Sequence, residues 1–461
     1  MRRSGGRGVG AAALALGMFA ACAAGGAARA EPDEDDQDPS ILDSVAAFRD
    51  IAAARDALAG RGFRFSGFYF SDVRGNLAGG MRRGVTYSGL LKLALDVDAE
   101  KVAGIEGGRL HVDMLQIHGR DLSDDYIGNV LSVNDVGARP TTRLFELWYE
   151  QKLGDRFALK VGQLAADEEF IKSDYGEAFL DATFGWAGPP SENLPFGGPA
   201  YPLAALGAQA TVEATENLTL VAAIYNGAAA NPHAEHPEKA NRHGLDFRLK
   251  DPPLVIAEAR YRYNQGEDAA WLPGALKLGG YRHFARFDDL KRGTDGLVLG
   301  APGSNDDPRR HRGDVNLYAV LDQQIYRAPG DDPDRGVGVF ARVIAGPKDR
   351  NEIDFYVDGG IVASGMIPGR PDDLFGFALA YANFSPKLAD SDRAADPGGP
   401  ARKYEAVFEA TYKAQIVPGL TVRPTYQYVM RPGGGVDNPE RSGSQKIRDA
   451  HVFGVTSLVT F

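Results

Sequence analysis

The sequence has almost none of the features that identify helical membrane proteins, metalloproteins or disulfide-rich secreted proteins. It has a single cysteine, Cys22, among 461 residues, so it can form neither an internal disulfide framework nor a cysteine-based metal site. Outside the N-terminus no run approaches the roughly 18 apolar residues that a transmembrane helix needs. Runs of Lys and Arg are also missing and the net charge is -11, so nothing points to a nucleic-acid partner.

The motifs of common enzyme classes are missing as well. There is no Gly-x-Ser-x-Gly elbow, no His-Glu-x-x-His pair and no phosphate-binding Gly-Lys-Ser/Thr loop. The segment Gly336–Ala341 loosely matches a dinucleotide-binding fingerprint, but it begins a strand-like stretch instead of following one. We therefore expect no catalytic residue, no cofactor and no metal ion. A secreted carbohydrate-active enzyme that uses paired carboxylates is the less favoured alternative.

The first thirty residues have the pattern of a secretory signal peptide. A basic start is followed by an apolar, alanine-rich stretch, and Ala28-Arg29-Ala30 has the small-x-small form of a cleavage site. Cleavage there would remove Cys22 and leave an exported chain without a thiol that begins at Glu31.

An amphipathic helix is predicted after an acidic leader. Apolar residues recur at helical spacing between Ser40 and Gly60, which have the chemistry of an N-cap and of a stop signal. This is the only helix with a clear pattern, and we expect it to lie at the mouth or base of the next domain. The predicted boundaries are residues 1–30 for the signal peptide, 31–62 for the acidic leader and helix, and 63–461 for the main domain.

Beyond Gly62 the hydrophobic period changes from 3.6 to 2. Residues 86–97 alternate between large apolar and polar or small side chains, as a wall with one apolar and one polar face requires. Such segments recur along the chain, and the last ends at Phe461, with Phe453 and Val455 on its apolar face. The pattern predicts an all-β fold, a transmembrane antiparallel β-barrel of about 16 strands with a short N-terminal helix. A soluble sandwich is the alternative.

The connections alternate between short and long, as a barrel with turns at one end and loops at the other requires. The alternation fails near residues 244–264 unless Pro252-Pro253 interrupts a single strand, which is the interpretation we adopt. One loop, residues 165–205, is about forty residues long and rich in aromatic side chains, so we expect it to fold inward and narrow the pore. The remaining assignments are turns at 152–156, 213–217 and 417–419, and loops at 119–142, 300–313, 389–401 and 431–449.

Motifs spread over most of the sequence resemble the carbohydrate-selective porin family of Gram-negative outer membranes. Among them are Gly75–Gly80, Glu146–Gln151, Leu321–Gln324, Gly369–Asp373 and Pro432–Gly434. The resemblance implies a single-domain channel in the outer membrane, surrounded by lipid, for passive diffusion of small, glucose-like sugars without catalysis or cofactor. A general or anion-preferring diffusion porin is the alternative, and both a monomer and a homotrimer remain open.

Charged residues on the strands predict which face lines the pore, because a charge that faces lipid near the midplane costs about 2–4 kcal/mol. In residues 143–152 this places Glu146, Trp148 and Glu150 inside and Phe145 outside. An acid beside an indole offers a sugar both hydrogen bonds and a flat apolar surface. The same test places inside Lys92, Asp96, Asp358, Glu409 and Lys413.

Arg342 shares a face with Phe340 and Ile344, and we expect a β-bulge to correct that parity. The competing interpretation of all these charges is that they pair across the wall and stiffen it without touching a sugar. The candidate sugar-contacting residues are Glu146, Trp148, Glu150, Glu258, Arg260, Arg262, Arg342, Asp354 and Glu405.

Overall fold

Sixteen strands form the framework of the molecule in the computed structural model, which describes residues 40–266, 269, 271–330, 332–333, 335–441 and 445–461. The predicted signal peptide and acidic leader lie outside the described residues. The strands are β1 (Phe63–Gly80), β2 (Gly84–Asp98), β3 (Gly108–Gly119), β4 (Thr141–Lys152), β5 (Phe157–Leu164), β6 (Ala205–Thr215), β7 (Leu218–Tyr225), β8 (Leu254–Tyr263), β9 (Gly274–Gly293), β10 (Pro308–Arg327), β11 (Gly336–Ala345), β12 (Ile353–Ser364), β13 (Leu374–Phe384), β14 (Tyr404–Val417), β15 (Leu420–Met430) and β16 (Arg448–Thr460).

The sixteen strands close into one antiparallel barrel. Each strand pairs with its neighbour in sequence, and β1 completes the circle by pairing with β16, where Tyr69 lies opposite Val459. Closure gives the backbone groups at both edges of the sheet a partner, which a bilayer demands because lipid offers none. The predicted fold and strand number are confirmed.

The last strand has the predicted two faces. Phe453 and Val455 are about half exposed on the outside of the barrel, whereas Val452 and Thr456 are buried on the inside. Connections that follow even-numbered strands are short, and most of those that follow odd-numbered strands are long. We call the two ends of the barrel the turn end and the loop end.

The helices are short and lie in connections or before the barrel. No helix in the described part of the chain is long and apolar enough to cross a membrane. Their bounds are α1 (Ile41–Ser44), α2 (Arg49–Ala59), α3 (Ala99–Ala103), α4 (Ala182–Gly185), α5 (Gly188–Asn193), α6 (Pro237–Ala240) and α7 (Pro386–Ala395), with 3-10 turns at Ala46–Phe48, Gly176–Ala178, Pro195–Gly197 and Pro432–Gly434 and a π turn at Ser123–Ile127.

The predicted helix from Ser40 to Gly60 is broken in two. The Ser40 hydroxyl caps α1 by accepting a hydrogen bond from the Leu42 amide, as expected, but Val45 adopts an extended conformation before the chain resumes as α2. Leu42 packs against Phe461 at the turn end of the barrel, which is one of the two positions, mouth or base, that the sequence leaves open. The sequence analysis also missed α7, which Ser385 caps and Pro386 starts in the usual way.

Two strand predictions are wrong in their bounds. Pro252-Pro253 does not interrupt a strand, because residues 226–253 form one long loop and β8 starts directly after the prolines at Leu254. The segment 300–313 is not all loop, because β10 already begins at Pro308 and forms with β9 a hairpin of two 20-residue strands. The alternation of short and long connections is unaffected, because the stretch on both sides of the prolines still contributes a single strand, β8.

The loop of residues 165–204, here called the inner loop, folds into the barrel as predicted. Phe170 and Phe184 are fully buried, and the ring of Phe184 lies 6.2 Å, centroid to centroid, from that of Phe340 on β11. Part of the lumen is therefore an apolar core shared by loop and wall.

This core overturns two parity predictions. No bulge occurs at Arg342, because Phe340 and Ile344 also face inward, where the inner loop buries them. Phe145 lies inside, not outside, because the pairing of β3 with β4 shifts register near Asp113 and turns both Phe145 and Glu146 inward.

Gly338 of β11 tests how closely the inner loop fits the wall. A Cβ atom at this position would overlap the ring of Tyr175 in the inner loop, and overpacking of this kind costs about 1–3 kcal/mol. We expect Gly338→Ala to displace the loop and raise single-channel conductance in planar bilayers while the barrel still resists unfolding by detergent. Gly185→Ala, where a Cβ meets open space, is the control; equal conductances would show that the loop fit does not set pore size.

Candidate functional site

Charged side chains of the wall hold the inner loop in place. Arg342 has no exposed side-chain surface and pairs with Asp358 of β12. Its guanidinium donates hydrogen bonds of 2.6–3.1 Å to four backbone carbonyls of the inner loop. These carbonyls belong to Ile171, Thr183, Phe184 and Gly185. The guanidinium of Arg342, which the sequence predicts to contact sugar, therefore binds the backbone of the inner loop.

Glu258 and Arg260 of β8 hold the same loop from another side. Glu258 accepts hydrogen bonds from the Ile171 amide at 3.1 Å and from Arg260 at 2.6 Å. Arg260 in turn donates to the carbonyl of Glu169 at 2.7 Å and pairs with its carboxylate at 2.8 Å. Buried polar groups are stable only when hydrogen-bonded, so this network fixes the first turn of the loop.

Glu146 and Glu405 hold the roots of two loops. Glu146 accepts a hydrogen bond of 2.8 Å from the amide of Ala165, where the inner loop begins. Glu405 is fully buried and accepts from the amides of Val130 and Leu131, in the loop that connects β3 and β4. Both carboxylates act on backbone N–H groups, which agrees with the structural interpretation of the wall charges.

The other predicted residues divide into paired and open ones. Trp148 is 8% exposed; His111 stacks on its ring, at 4.8 Å between centroids, and Lys160 lies over it at 4.7 Å. Its flat surface is therefore covered instead of facing a sugar. Glu150 pairs with Lys160 at 3.8 Å, and Asp354 accepts a hydrogen bond from Asn383 at 2.7 Å. Arg262 lines a cavity.

The space left between the inner loop and strands β1–β4 is a cavity of about 410 Å3. Five apolar residues of β1–β4 line it, and we call them the apolar stripe: Phe68, Phe70, Leu90, Leu115 and Phe145. The inner loop contributes both charged residues, such as Glu168 and Lys172, and apolar or aromatic ones, such as Phe179 and Trp186. The cavity lining thus combines apolar surface with charged groups.

The polar side centres on three residues of the inner loop, Glu168, Lys172 and Glu177, here called the charged junction. They line both this cavity and a second one of about 210 Å3, which reaches Arg262 near the turn end of β8. Within the junction Lys172 pairs with Glu177 at 2.7 Å, and Glu168 pairs with Lys92 of β2 at 3.1 Å. A solute that moves from one cavity to the other passes these side chains.

Glu168 and Lys172 of the junction are stabilised in their charged forms. Lys92 lowers the pKa of Glu168 to about 2, with help from Lys172 and against the effect of burial. Burial lowers the pKa of Lys172, but Glu177 and Glu168 outweigh it and raise that pKa above its usual value. Together with Lys92 the junction therefore has two carboxylates and two ammonium groups, which balance in charge and offer both hydrogen-bond donors and acceptors.

A family model and known relatives agree with this architecture. Residues 82–461 match the model of the OprB family of carbohydrate-selective porins. The chain belongs to this family. It is therefore a porin of the Gram-negative outer membrane through which sugars diffuse passively.

Known relatives of this porin align with it over most of their length. Porin B of Pseudomonas aeruginosa is 26% identical over 417 residues, which cover 84% of this chain and 88% of the relative. The high-pH structure of Pseudomonas putida OprB has 23% sequence identity and a TM-score of 0.77, and covers 89% of this chain and 97% of that chain. The low-pH structure has 18% identity, a TM-score of 0.53 and the same coverage. At these identities the two structures show the shared fold alone.

Sequence reasoning missed the charged junction and the apolar stripe of the porin. The junction lies in a loop that was predicted to enter the lumen, so its clustered acidic and basic residues were a usable signal. For the stripe, Leu90 shares a face with Lys92, which the lipid-cost test already turned inward. That test looks only for charges, and apolar residues that point into a lumen escape it.

Arg342 provides the sharpest test of how the porin holds its inner loop. Removing one partner of a buried ion pair costs about 3–5 kcal/mol, and Arg342→Met also frees four loop carbonyls. We expect a larger and noisier single-channel current in planar bilayers. We also expect the barrel to unfold in detergent at a lower temperature than the wild type. Adding Asp358→Asn removes the unpaired carboxylate and should restore part of the lost stability, but not the small current, because the four loop carbonyls still lack their donor.

The matched control is Arg310→Met, which changes an exposed arginine outside the lumen network. It should leave conductance and stability unchanged. A normal current in the Arg342 variant would show that the remaining anchors suffice.

Proposed function

We propose that a neutral, glucose-like sugar crosses this porin between the apolar stripe and the charged junction. The observation that carries the proposal is the mixed lining of the larger cavity, where the apolar stripe and the charged junction meet the same space. A sugar ring has C–H faces and hydroxyl edges, and a lining that combines apolar surface with hydrogen-bonding ions matches both. Binding stays weak because water also enters, and weak binding is what flux requires.

The charges that line the second cavity support a channel that prefers neither cations nor anions and suits uncharged solutes. Its lining contains four carboxylates and four cations, which cancel in number. The carboxylates are Glu168, Glu169, Asp174 and Glu177, and the cations are Lys172, Arg260, Arg262 and Lys277. A lining of balanced charge does not favour anions, in contrast to the alternative of an anion-preferring porin.

We further propose that outer-membrane lipid covers the outward strand faces. Large apolar side chains are exposed there on many strands, such as Leu93, Leu278 and Phe377. A soluble protein would bury such a band, whereas acyl chains solvate it.

Phe68 tests the apolar stripe. An aromatic contact is worth about 0.5–1.5 kcal/mol, so Phe68→Ala should weaken the block of ion current by added glucose roughly two- to twelvefold. The ion current without sugar should not fall. Phe453→Ala, on the outward face of β16, should leave block unchanged. If neither glucose nor a disaccharide blocks the wild-type current, the proposed sugar path is wrong.

Lys172 tests the balance of charge. The wild-type porin should show a zero-current potential close to zero in a KCl gradient, because neither ion is favoured. Lys172→Gln leaves one carboxylate in excess and should shift that potential toward cation preference. Lys239→Gln removes the same charge from an exposed position of helix α6 that lines neither cavity, and should cause no shift. Strong anion preference in the wild type would favour the alternative porin class.

A further inference from the structure

Three lumen-facing side chains on neighbouring strands form a cluster with the chemistry of a metal site. His111 and Asp113 lie on β3 and Glu146 on β4, and one ligand atom from each lies within 4.8 Å of the others. The imidazole Nε2 of His111 is 3.6 Å from Asp113 Oδ2. Imidazole nitrogen and carboxylate oxygen are both groups that bind zinc in proteins.

The imidazole is oriented by its other nitrogen. His111 Nδ1 lies 2.9 Å from Asp96 Oδ1, and Arg109 pairs with the same oxygen at 2.8 Å. Histidine ligands of metal sites are commonly held by a carboxylate in this way, which fixes the tautomer and turns Nε2 toward the metal. The ring is further restrained by stacking on Trp148.

Both carboxylates already have one oxygen fixed by backbone. Asp113 Oδ1 accepts a hydrogen bond from the Glu146 amide at 2.8 Å, and Glu146 Oε1 accepts from the Ala165 amide at 2.8 Å. The second oxygen of Glu146 is held more weakly. The indole N–H of Trp148 is 3.5 Å from Glu146 Oε2, a distance at the limit of a hydrogen bond.

A cation already occupies the mouth of the cluster. The ammonium of Lys92 lies 2.8 Å from Asp113 Oδ2, and it also reaches Glu168 at 3.1 Å. Lys92 can therefore leave Asp113 and keep a carboxylate partner. A divalent ion that replaces it gains two carboxylates and an imidazole.

We propose that His111, Asp113 and Glu146 bind a divalent transition-metal ion, of which Zn²⁺ is the probe of choice, in competition with the ammonium of Lys92. Zinc bonds to nitrogen and oxygen are about 2.0–2.2 Å long, so the ligand atoms must draw together by small side-chain movements. The imidazole and the small ligand number favour Zn²⁺, Cu²⁺ or Ni²⁺ over Mg²⁺ and Ca²⁺. Binding pushes Lys92 toward the charged junction and changes the current through the pore.

The test measures Zn²⁺ binding to the porin purified from outer membranes without a histidine tag, by calorimetry, with Mg²⁺ as the competing control. Wild type should bind one ion per barrel, and His111→Gln should lose it. Asp96→Asn should weaken binding roughly 10–100-fold, as for other residues that orient a metal ligand. His118→Gln is the matched control, because His118 lies on the same strand but on its outward face, against Tyr69.

Lys92→Gln separates a metal site from a structural cluster. Removing the competing ammonium should tighten Zn²⁺ binding, whereas a purely structural role for Lys92 predicts no gain or a loss. The same additions should reduce single-channel current in the wild type and leave His111→Gln unaffected. The proposal is overturned if Zn²⁺ binds equally to wild type and His111→Gln, if millimolar Zn²⁺ does not bind, or if Lys92→Gln binds no more tightly.

Discussion

The structure depends on one constraint: a chain segment placed inside a barrel must have its backbone polar groups satisfied wherever water is excluded. The inner loop meets this constraint by using charged side chains of the wall as partners. Arg342 binds loop carbonyls, while Glu146, Glu258 and Glu409 bind loop amides. Charges that would be costly against lipid are thereby paired within the lumen. The pore is the space that this packing leaves beside β1–β4.

The two sides of that space have different origins. The apolar stripe belongs to the rigid barrel, whose register is set by continuous hydrogen-bonded ladders. The charged junction belongs to the inner loop, whose position is set by side-chain bonds to its backbone. On the proposed sugar path one surface is supplied by the barrel and another by an inserted segment, so small movements of the loop change the distance between them.

Much of the fold could be predicted from the sequence because period-2 alternation is a direct consequence of a two-faced wall. It indicated about sixteen strands, while the length and aromatic content of residues 165–205 indicated the inward fold of the inner loop. It failed where tertiary packing replaces water in the lumen, as at Phe340, and where a register shift turns adjacent residues inward, as at Phe145. The site was harder. Parity identifies which side chains point inward, but only the folded loop determines that Glu258 is paired and that Trp148 is covered.

The bonds between wall and inner loop have a consequence for the evolution of specificity. Arg342 and Glu258 contact carbonyl and amide groups, which every residue type except proline provides in full. Substitutions at Glu168, Lys172 or Glu177 therefore leave these attachments intact. The barrel wall and the charged junction can therefore diverge independently. On the proposed sugar path, a lineage of such channels can acquire new solute preferences by changing a few loop side chains without changing the barrel.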